Sequence, residues 1–427
     1  MKRCYLTPRP SNPSFFSLFD RKGKGSENRG DLQDGCSAWQ SLPVGSEHII
    51  RSLAAERILG ELLDKINKRD SIQHDTIRAV VEEFPGTCHR RYEVVWEDGT
   101  IREMLPLWII CCLCPPLDTV KAIYEANPEA IYVKEPCKQS LSMHLAAAFE
   151  APLEIVQFIH SKNDRAVRTP RNDGVYPIHL ACGYYRGDPS VINYLLDQYP
   201  EGATKVCSVI HWSPLHSASH GGISDLDVMK RLHNADPSMI RSQDRHNRTA
   251  LHLACLSKHG NPALIEFLMQ TAPETAGVED NLFGRTPLHL LCINQAPDTI
   301  RVMLDLLPET VDISNTYGGA SILAWAAMKN TPQAVDYLAR RFPHMLSLPT
   351  QDEARYTPLY CAIYNDAPIE TMNVLIEHYP QALFTLDGSG RRPLRAARSS
   401  GAGKEIIHLL EASERRHRSV MASWFCF

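Results

Sequence analysis

The chain has 427 residues, of which 44% are hydrophobic and 22% are charged, and its net charge is −4. These values are typical of a soluble, folded protein. The longest apolar run, residues 104–117, is interrupted by prolines and is too short to span a bilayer, which excludes a transmembrane helix there.

The net charge hides an uneven distribution. Residues 1–30 carry seven Lys/Arg against two Asp/Glu, and residues 391–418 carry eight against three, so each segment has an excess of five positive charges. Residues 31–390 therefore carry a net charge of −14. Because nucleic acids are polyanions, this acidic body argues against nucleic acid as a ligand of the chain.

The N-terminal region divides into a tail and a helical segment. Residues 1–45 are rich in Pro, Ser, Gly and basic residues and have no sustained periodicity, which predicts a disordered basic tail. Apolar residues at helical spacing begin at residue 46, and Asp75 can cap a second helix over Thr76–Phe84. Residues 46–87 are therefore predicted to form an N-terminal cap or a degenerate repeat.

A β-hairpin is predicted after this segment. Tyr92–Arg102 alternates apolar and polar residues on both sides of Asp98 and Gly99, a pair typical of a tight hairpin turn. The later turns of the chain have no room for a hairpin of this length.

The rest of the chain repeats one short motif, seen best at Thr286-Pro-Leu-His289. Thr286 can be a helix N-cap, proline suits the first helical position, and His289 lies one helical turn later. Gly284 supplies a positive φ for the turn entering the helix, as Gly174 does in an earlier copy. The motif's fourth residue falls at 108, 144, 179, 216, 252, 289, 324, 360 and 395, a spacing of 35 to 37 residues. This is a repeat protein.

Each motif helix is followed by a second helix that begins near a proline and is closed by another. The opening prolines stand at 116, 152, 189, 262, 297, 332 and 368. Two helices and an exposed turn with a start similar to Thr-Pro-Leu-His resemble the ankyrin repeat. The resemblance covers residues 88–412 with about nine repeats and implies an all-α helix-turn-helix solenoid with short turn or hairpin fingers and terminal caps. Residues 413–427 remain as a basic and aromatic C-terminal tail.

The recurrent histidines invite a metal or catalytic interpretation, which their spacing disfavours. Stacked helix pairs hold successive rings about 8–10 Å apart, too far for one metal ion. The resemblance implies instead that the imidazole bonds to the Thr or Ser of its own motif and to the adjacent turn. The residues predicted to have this structural role are His144, His179, His216, His252 and His289, with Thr249 and Thr286 as partners.

Cysteine usage indicates a reducing compartment. Cys111, Cys182, Cys255 and Cys292 each fall three residues after the motif's fourth residue, in a position that takes alanine elsewhere. This position therefore requires a small buried side chain, and stacking would keep these thiols too far apart for disulfides. Zinc at Cys111–Cys114 is disfavoured because no second Cys/His pair lies nearby.

No catalytic constellation is recognisable, since the Gly-rich stretches at Gly388 and Gly401–Lys404 lack the spacing of a nucleotide loop. The sequence thus predicts a non-enzymatic scaffold or adaptor that binds protein partners through a concave face and needs no cofactor. Aromatic and arginine side chains are enriched at binding hot spots. The predicted contact residues are Phe149, Tyr184, Tyr185, Trp212, Arg248, Phe283, Arg285 and Tyr356, and the first four form the favoured cluster.

The two ends of the chain leave an alternative open. The basic run Arg415–Arg418 precedes Trp424, Phe425 and Phe427, which predicts either a cap over the last repeat or weak contact with an anionic membrane surface. The second interpretation describes a membrane-peripheral adaptor. An intracellular location follows from the cysteines, with the cytoplasm favoured and the nucleus as the alternative.

Overall fold

A computed structural model describes residues 54–57, 59–60, 73–95, 100–184, 188–257, 260–294, 297–308, 319–329 and 331–424. The predicted tail over residues 1–45 and most of the first cap helix lie outside these ranges. The chain forms two compact units, Met1–Asn172 and Asp173–Phe427. Among the described residues, no helix combines the length and the apolar character needed to cross a membrane.

The first unit contains the second cap helix and the hairpin. Helix α1 (His74–Glu83) ends before Pro85, where a 3₁₀ turn begins. Asp75 was predicted to cap this helix, but it lies inside the first turn, where its carboxylate pairs with Arg78 and complements the helix dipole. Strands β1 (Tyr92–Val95) and β2 (Ile101–Met104) pair antiparallel, as the alternation predicted. The predicted turn at residues 98–99 lies outside the described residues.

The repeats consist of a short motif helix and a second helix. In the first unit these are α2 (Pro106–Cys112), α3 (Leu117–Ala126), α4 (Ser142–Ala148) and α5 (Leu153–Lys162). In the second unit they are α6 (Pro177–Gly183), α7 (Ser190–Gln198), α8 (Pro214–Gly221), α9 (Leu226–Ala235), α10 (Ala250–Leu256), α11 (Pro262–Thr271), α12 (Pro287–Asn294), α13 (Pro297–Asp305), α14 (Ile322–Lys329), α15 (Pro332–Arg341), α16 (Pro358–Tyr364), α17 (Ile369–His378), α18 (Pro393–Ser400) and α19 (Lys404–Trp424).

The motif helices form the core of each unit. In the second unit the motif helices are the even-numbered helices from α6 to α18, and each packs against the next motif helix. From α6 to α16 these helices are buried on nearly all sides, and only their C-terminal ends reach solvent, whereas α18 also exposes Arg395. The thiols of Cys182, Cys255 and Cys292 are completely buried, and burial raises the pKa of each well above its ordinary value. The small side chain predicted for this position therefore packs in the core.

Six of the second helices (α3, α7, α9, α11, α15 and α17) end two residues before a proline, which opens a 3₁₀ turn rather than simply terminating the helix. Pro200–Thr204 and Pro273–Gly277 are two such turns, and each buries an alanine. The last helix, α19, departs from the pattern. A C-terminal tail was predicted over residues 413–427, but α19 continues to Trp424 and packs on α17 and α18.

Between helix pairs, the chain turns through short loops, which we call fingers. In the described part of the second unit, four successive fingers, at residues 173, 208–210, 245–246 and 281, hydrogen-bond to one another through the backbone. Arg245 N–H donates to the Ile210 carbonyl at 3.1 Å, and Asn281 N–H donates to the His246 carbonyl at 3.1 Å. Gly174 has φ +78° and a Cβ there would lie 2.6 Å from the Ser208 nitrogen, so this position requires glycine.

Candidate partner-binding surface

The motif histidines are fixed by the start of their own helices. The backbone N–H of Thr249 donates to Nδ1 of His252 at 3.1 Å, and Thr249 Oγ1 lies 3.0 Å from the same nitrogen. Ser213 and Thr286 place their hydroxyl oxygens 2.9 and 2.8 Å from Nδ1 of their own motif histidines. Because Nδ1 accepts a backbone hydrogen, the proton of the neutral ring lies on Nε2.

Two further histidines keep the backbone contact although their motifs begin with other residues. Leu141 N–H donates to Nδ1 of His144 at 3.1 Å, and Tyr176 N–H donates to Nδ1 of His179 at 3.3 Å. The contact therefore does not depend on a Thr or Ser at the start of the motif.

The opposite edge of the ring faces the next finger. His179 Nε2–H donates to the carbonyls of Lys205 and Trp212, at 3.1 and 3.0 Å. Burial is the main reason that the pKa values of His179, His216 and His252 fall to about 4. These rings are therefore neutral at physiological pH, and the rings of His179 and His252 join one repeat to the next. Across the described ranges, no group of three or more His, Cys, Asp or Glu side chains is placed to hold a metal ion.

Tyr360 occupies the histidine position in its repeat and reproduces the inter-repeat bond. Its buried hydroxyl donates to the carbonyls of Thr385 and Arg391, at 2.9 and 2.5 Å. A phenol can thus replace the imidazole because both present one donor at the same place.

Three fingers contain a buried aspartate that holds an arginine of the same finger. Asp244 Oδ1 accepts from the backbone N–H of Arg248 at 2.9 Å, and Oδ2 accepts from Arg248 Nε and Nη2 at 2.9 and 2.7 Å. Asp280 binds Arg285 in the same way, and Asp387 binds Arg391. The side chains of the three aspartates are fully buried. Each pair therefore locks the finger's conformation.

This arrangement corrects two of the predicted contact residues. Arg248 and Arg285 were expected to present their guanidinium groups to a partner, but their side chains are only 16% and 12% exposed. Both groups are occupied by their own aspartates, and Arg285 also lies over the rings of Phe283 and Trp325. They stabilise the fingers from within.

Two aromatic residues predicted to be exposed in the turns are buried. Trp212 is 5% exposed, and its Nε1–H donates to Asp244 Oδ2 of the following finger at 2.9 Å. Tyr356 is 6% exposed and packs against Tyr360 and Tyr364. Both rings were expected to face solvent, but Trp212 contacts the following finger and Tyr356 packs on the motif helix of its own repeat, so neither is a surface anchor.

The favoured cluster of Phe149, Tyr184, Tyr185 and Trp212 is not proposed as a binding surface. Besides the burial of Trp212, Tyr185 lies outside the described residues and Phe149 belongs to the first unit. Phe149 and Tyr184 are half-buried at the ends of their motif helices, and Phe283 is half-buried in its finger. In the predicted C-terminal tail, Trp424 ends α19, and the last three residues are not among those described.

Sequence reasoning missed the exposed apolar tips of the fingers. Val209 and Leu282 are 51% and 42% exposed, and Arg245, in the finger between them, is also exposed. The backbone bonds that join Ile210 to Arg245 and His246 to Asn281 place the three fingers side by side. We call the tips at residues 208–211, 245–247 and 281–283 the finger ridge.

A family model that consists of three ankyrin repeats matches residues 185–275 and residues 255–346 of the chain. The chain therefore contains ankyrin repeats. Its all-α repeat fold is therefore as the motif spacing predicted. In this family the repeats typically serve protein–protein interaction rather than catalysis.

Curated relatives of this ankyrin-repeat protein match only parts of its length. Human B-cell lymphoma 3 protein is 28% identical over 163 residues, which cover 37% of this chain and 34% of the relative. The mouse B-cell lymphoma 3 protein homolog is 25% identical over 229 residues, covering 50% and 49%. The Drosophila melanogaster transient receptor potential cation channel subfamily A member 1 is 28% identical over 181 residues, covering 40% of this chain and 14% of the channel.

Proposed function

We propose that this ankyrin-repeat protein is a non-enzymatic scaffold that binds partner proteins through the finger ridge. The observation that carries the proposal is the continuity of Val209, Arg245 and Leu282 on three bonded fingers. Exposed apolar side chains beside a guanidinium group match the chemistry of protein interfaces, in which apolar contacts give affinity and charged groups orient the partner.

The rigidity of the fingers supports the same conclusion. The Asp244–Arg248 and Asp280–Arg285 pairs, with Gly284 at φ +61°, fix the backbone before any partner arrives. A preorganised surface loses little conformational entropy on binding, so a modest contact area can give useful affinity. The motif helices from α6 to α16 contribute little to such a surface because they are almost completely buried.

The proposal places the protein inside the cell, in the cytoplasm or nucleus. Its buried thiols are part of the packing between helices and would remain reduced there.

The test is a pull-down from native lysate, read by mass spectrometry, with four baits. One bait is the intact chain, and the second carries Val209→Ser, Arg245→Ser and Leu282→Ser. A control bait makes the same type of changes away from the ridge, at Ile101 and Leu386, which are 64% and 59% exposed, and at Arg340, whose side chain is 71% exposed.

We expect the ridge variant alone to lose specific partners while its melting temperature stays close to that of the intact chain. If the ridge variant keeps every partner that the control keeps, the ridge is not the binding surface. A fourth bait lacking residues 1–45 identifies partners that depend on the N-terminal tail instead.

A further inference from the structure

The last motif helix, α18, carries arginine at two positions that are buried in the other repeats. The motif's fourth residue is a buried histidine at 179, 216, 252 and 289, but it is Arg395 here, and it is exposed. The residue three positions later is a buried cysteine at 182, 255 and 292, but it is Arg398 here, with 59% of its side chain exposed. In the described residues, the elements that contact α18 include α16, α19 and the 3₁₀ turn Pro380–Phe384.

These arginines belong to a larger group of positively charged residues. Residues 388–404 contain Arg391, Arg392, Arg395, Arg398 and Lys404 and no acidic residue, in a second unit that is otherwise rich in acids. Consecutive members at 392, 395 and 398 are three residues apart, so each lies beside the next. We call Arg392, Arg395 and Arg398 the arginine patch.

The partners of these side chains leave much of their charge available. Arg392 lies over the Phe384 ring, 5.8 Å from its centre, and makes no ion pair with the described part of the chain. Arg395 forms no hydrogen bond or ion pair with any residue that the structure describes. Arg398 pairs with Glu411, but that carboxylate is itself 30% exposed and can exchange partners.

A solubilising end cap does not require this composition. The exposed face of an end repeat needs polar side chains, and mixed charges would provide them while attracting one another. Like charges three or four residues apart repel instead and destabilise the helix. The single sign of the patch therefore indicates a ligand that offsets the repulsion.

We propose that the arginine patch binds a carboxylate-rich segment of a partner protein. The proposal rests on the proposed function only in that the partner is a protein, and it concerns a surface separate from the finger ridge. Guanidinium groups bind carboxylates through two parallel hydrogen bonds, which favours Arg over Lys at such a site.

The charge of the rest of the chain favours an acidic peptide over a nucleic acid. A short peptide segment contacts the patch alone. A nucleic acid continues as a polyanion beyond it, and the net charge of −14 on residues 31–390 repels it.

The test uses the full-length chain and a fluorescently labelled ten-residue peptide of Glu and Asp, with binding read by anisotropy at about 50 mM salt, where surface charges are weakly screened. A peptide of the same length made of Gln and Asn and a ten-nucleotide single-stranded DNA are the comparison ligands. The patch variant is Arg392→Gln with Arg395→Gln. Its matched control, Arg340→Gln with Arg341→Gln, removes two charges from α15, where the side chains are 71% and 52% exposed.

We expect the patch variant to bind the acidic peptide about tenfold more weakly, the loss of roughly two favourable charge contacts. The control and the finger-ridge variant should bind it as the intact chain does. Equal weakening in the patch variant and the control, equal binding of the Gln/Asn peptide, or tighter binding of the DNA would each overturn the proposal. Because the ridge variant keeps this binding, failure of one proposal is distinguishable from failure of the other.

Discussion

Mild acid should destabilise the second unit through its buried histidines. The pKa values of His179, His216 and His252 are lowered to about 4, against about 6.5 in an unfolded chain. Between these values the unfolded state binds more protons than the folded state. The stability due to the neutral rings is therefore fully present above about pH 6.5 and is lost as the pH falls toward 4.

The size of the effect follows from the same pKa values. Between pH 7 and pH 5 each histidine removes about 2 kcal/mol from the free energy of unfolding, or roughly 5 to 6 kcal/mol for the three together. Near pH 5.3, complete unfolding should take up about three protons through these rings, since each is almost fully charged when unfolded and almost neutral when folded.

Proton uptake measured by potentiometric titration during unfolding in urea tests this prediction without assuming a two-state transition. A His252→Gln chain should take up about one proton fewer at pH 5.3, and both chains should take up almost none through histidines at pH 8. Equal uptake by the two chains at pH 5.3 would show that the folded protein already carries charged imidazoles, and the tautomer deduced above would be wrong.

Three substitutions test other contacts by urea or thermal unfolding. Asp244→Asn should lower the free energy of unfolding by about 3 to 5 kcal/mol because it breaks a buried ion pair. The control Asp227→Asn, at an exposed ion pair, should change it little. Similar effects of the two substitutions would show that the Asp244–Arg248 pair does not stabilise its finger. Gly284→Val should lower the free energy of unfolding by more than about 1 kcal/mol, because valine is strained at the positive φ of this position. Gly86→Val is the control, since no atom lies close to a side chain added there. An unchanged melting temperature in the Gly284→Val chain would contradict the turn assignment. Tyr360→Phe should cost about 1 to 3 kcal/mol by leaving two carbonyls without their donor, and an unaltered midpoint would show that water replaces it.

The repeat architecture could be predicted because its causes are local. A proline at the first helical position, a histidine one turn later and a second proline-started helix recur with one period, and each has a physical reason readable in sequence. The hairpin over Tyr92–Arg102 was predicted on the same basis. The length of α19 was not, because its basic run resembles a tail rather than the end of a packed helix.

The contact surface was harder to predict because exposure in a finger depends on the neighbouring repeat. Trp212 lies in the turn before a motif helix, but its indole N–H donates to Asp244 of the next finger. Nothing in the spacing of the motifs reveals this contact. The aspartate locks could have been found, since an Asp precedes an Arg by four or five residues in three fingers, at 244, 280 and 387.

Within a finger, the residues that hold its shape differ from the residues at its exposed tip, and this separation affects how such a protein can evolve. The lock residues and the backbone bonds between fingers hold the shape, whereas Val209, Arg245 and Leu282 contribute little to it. Substitutions at these tips should therefore be almost neutral for folding, and successive generations can sample new tip chemistries without passing through unfolded intermediates. A lineage can acquire a different partner by changing a few codons while its architecture is inherited intact.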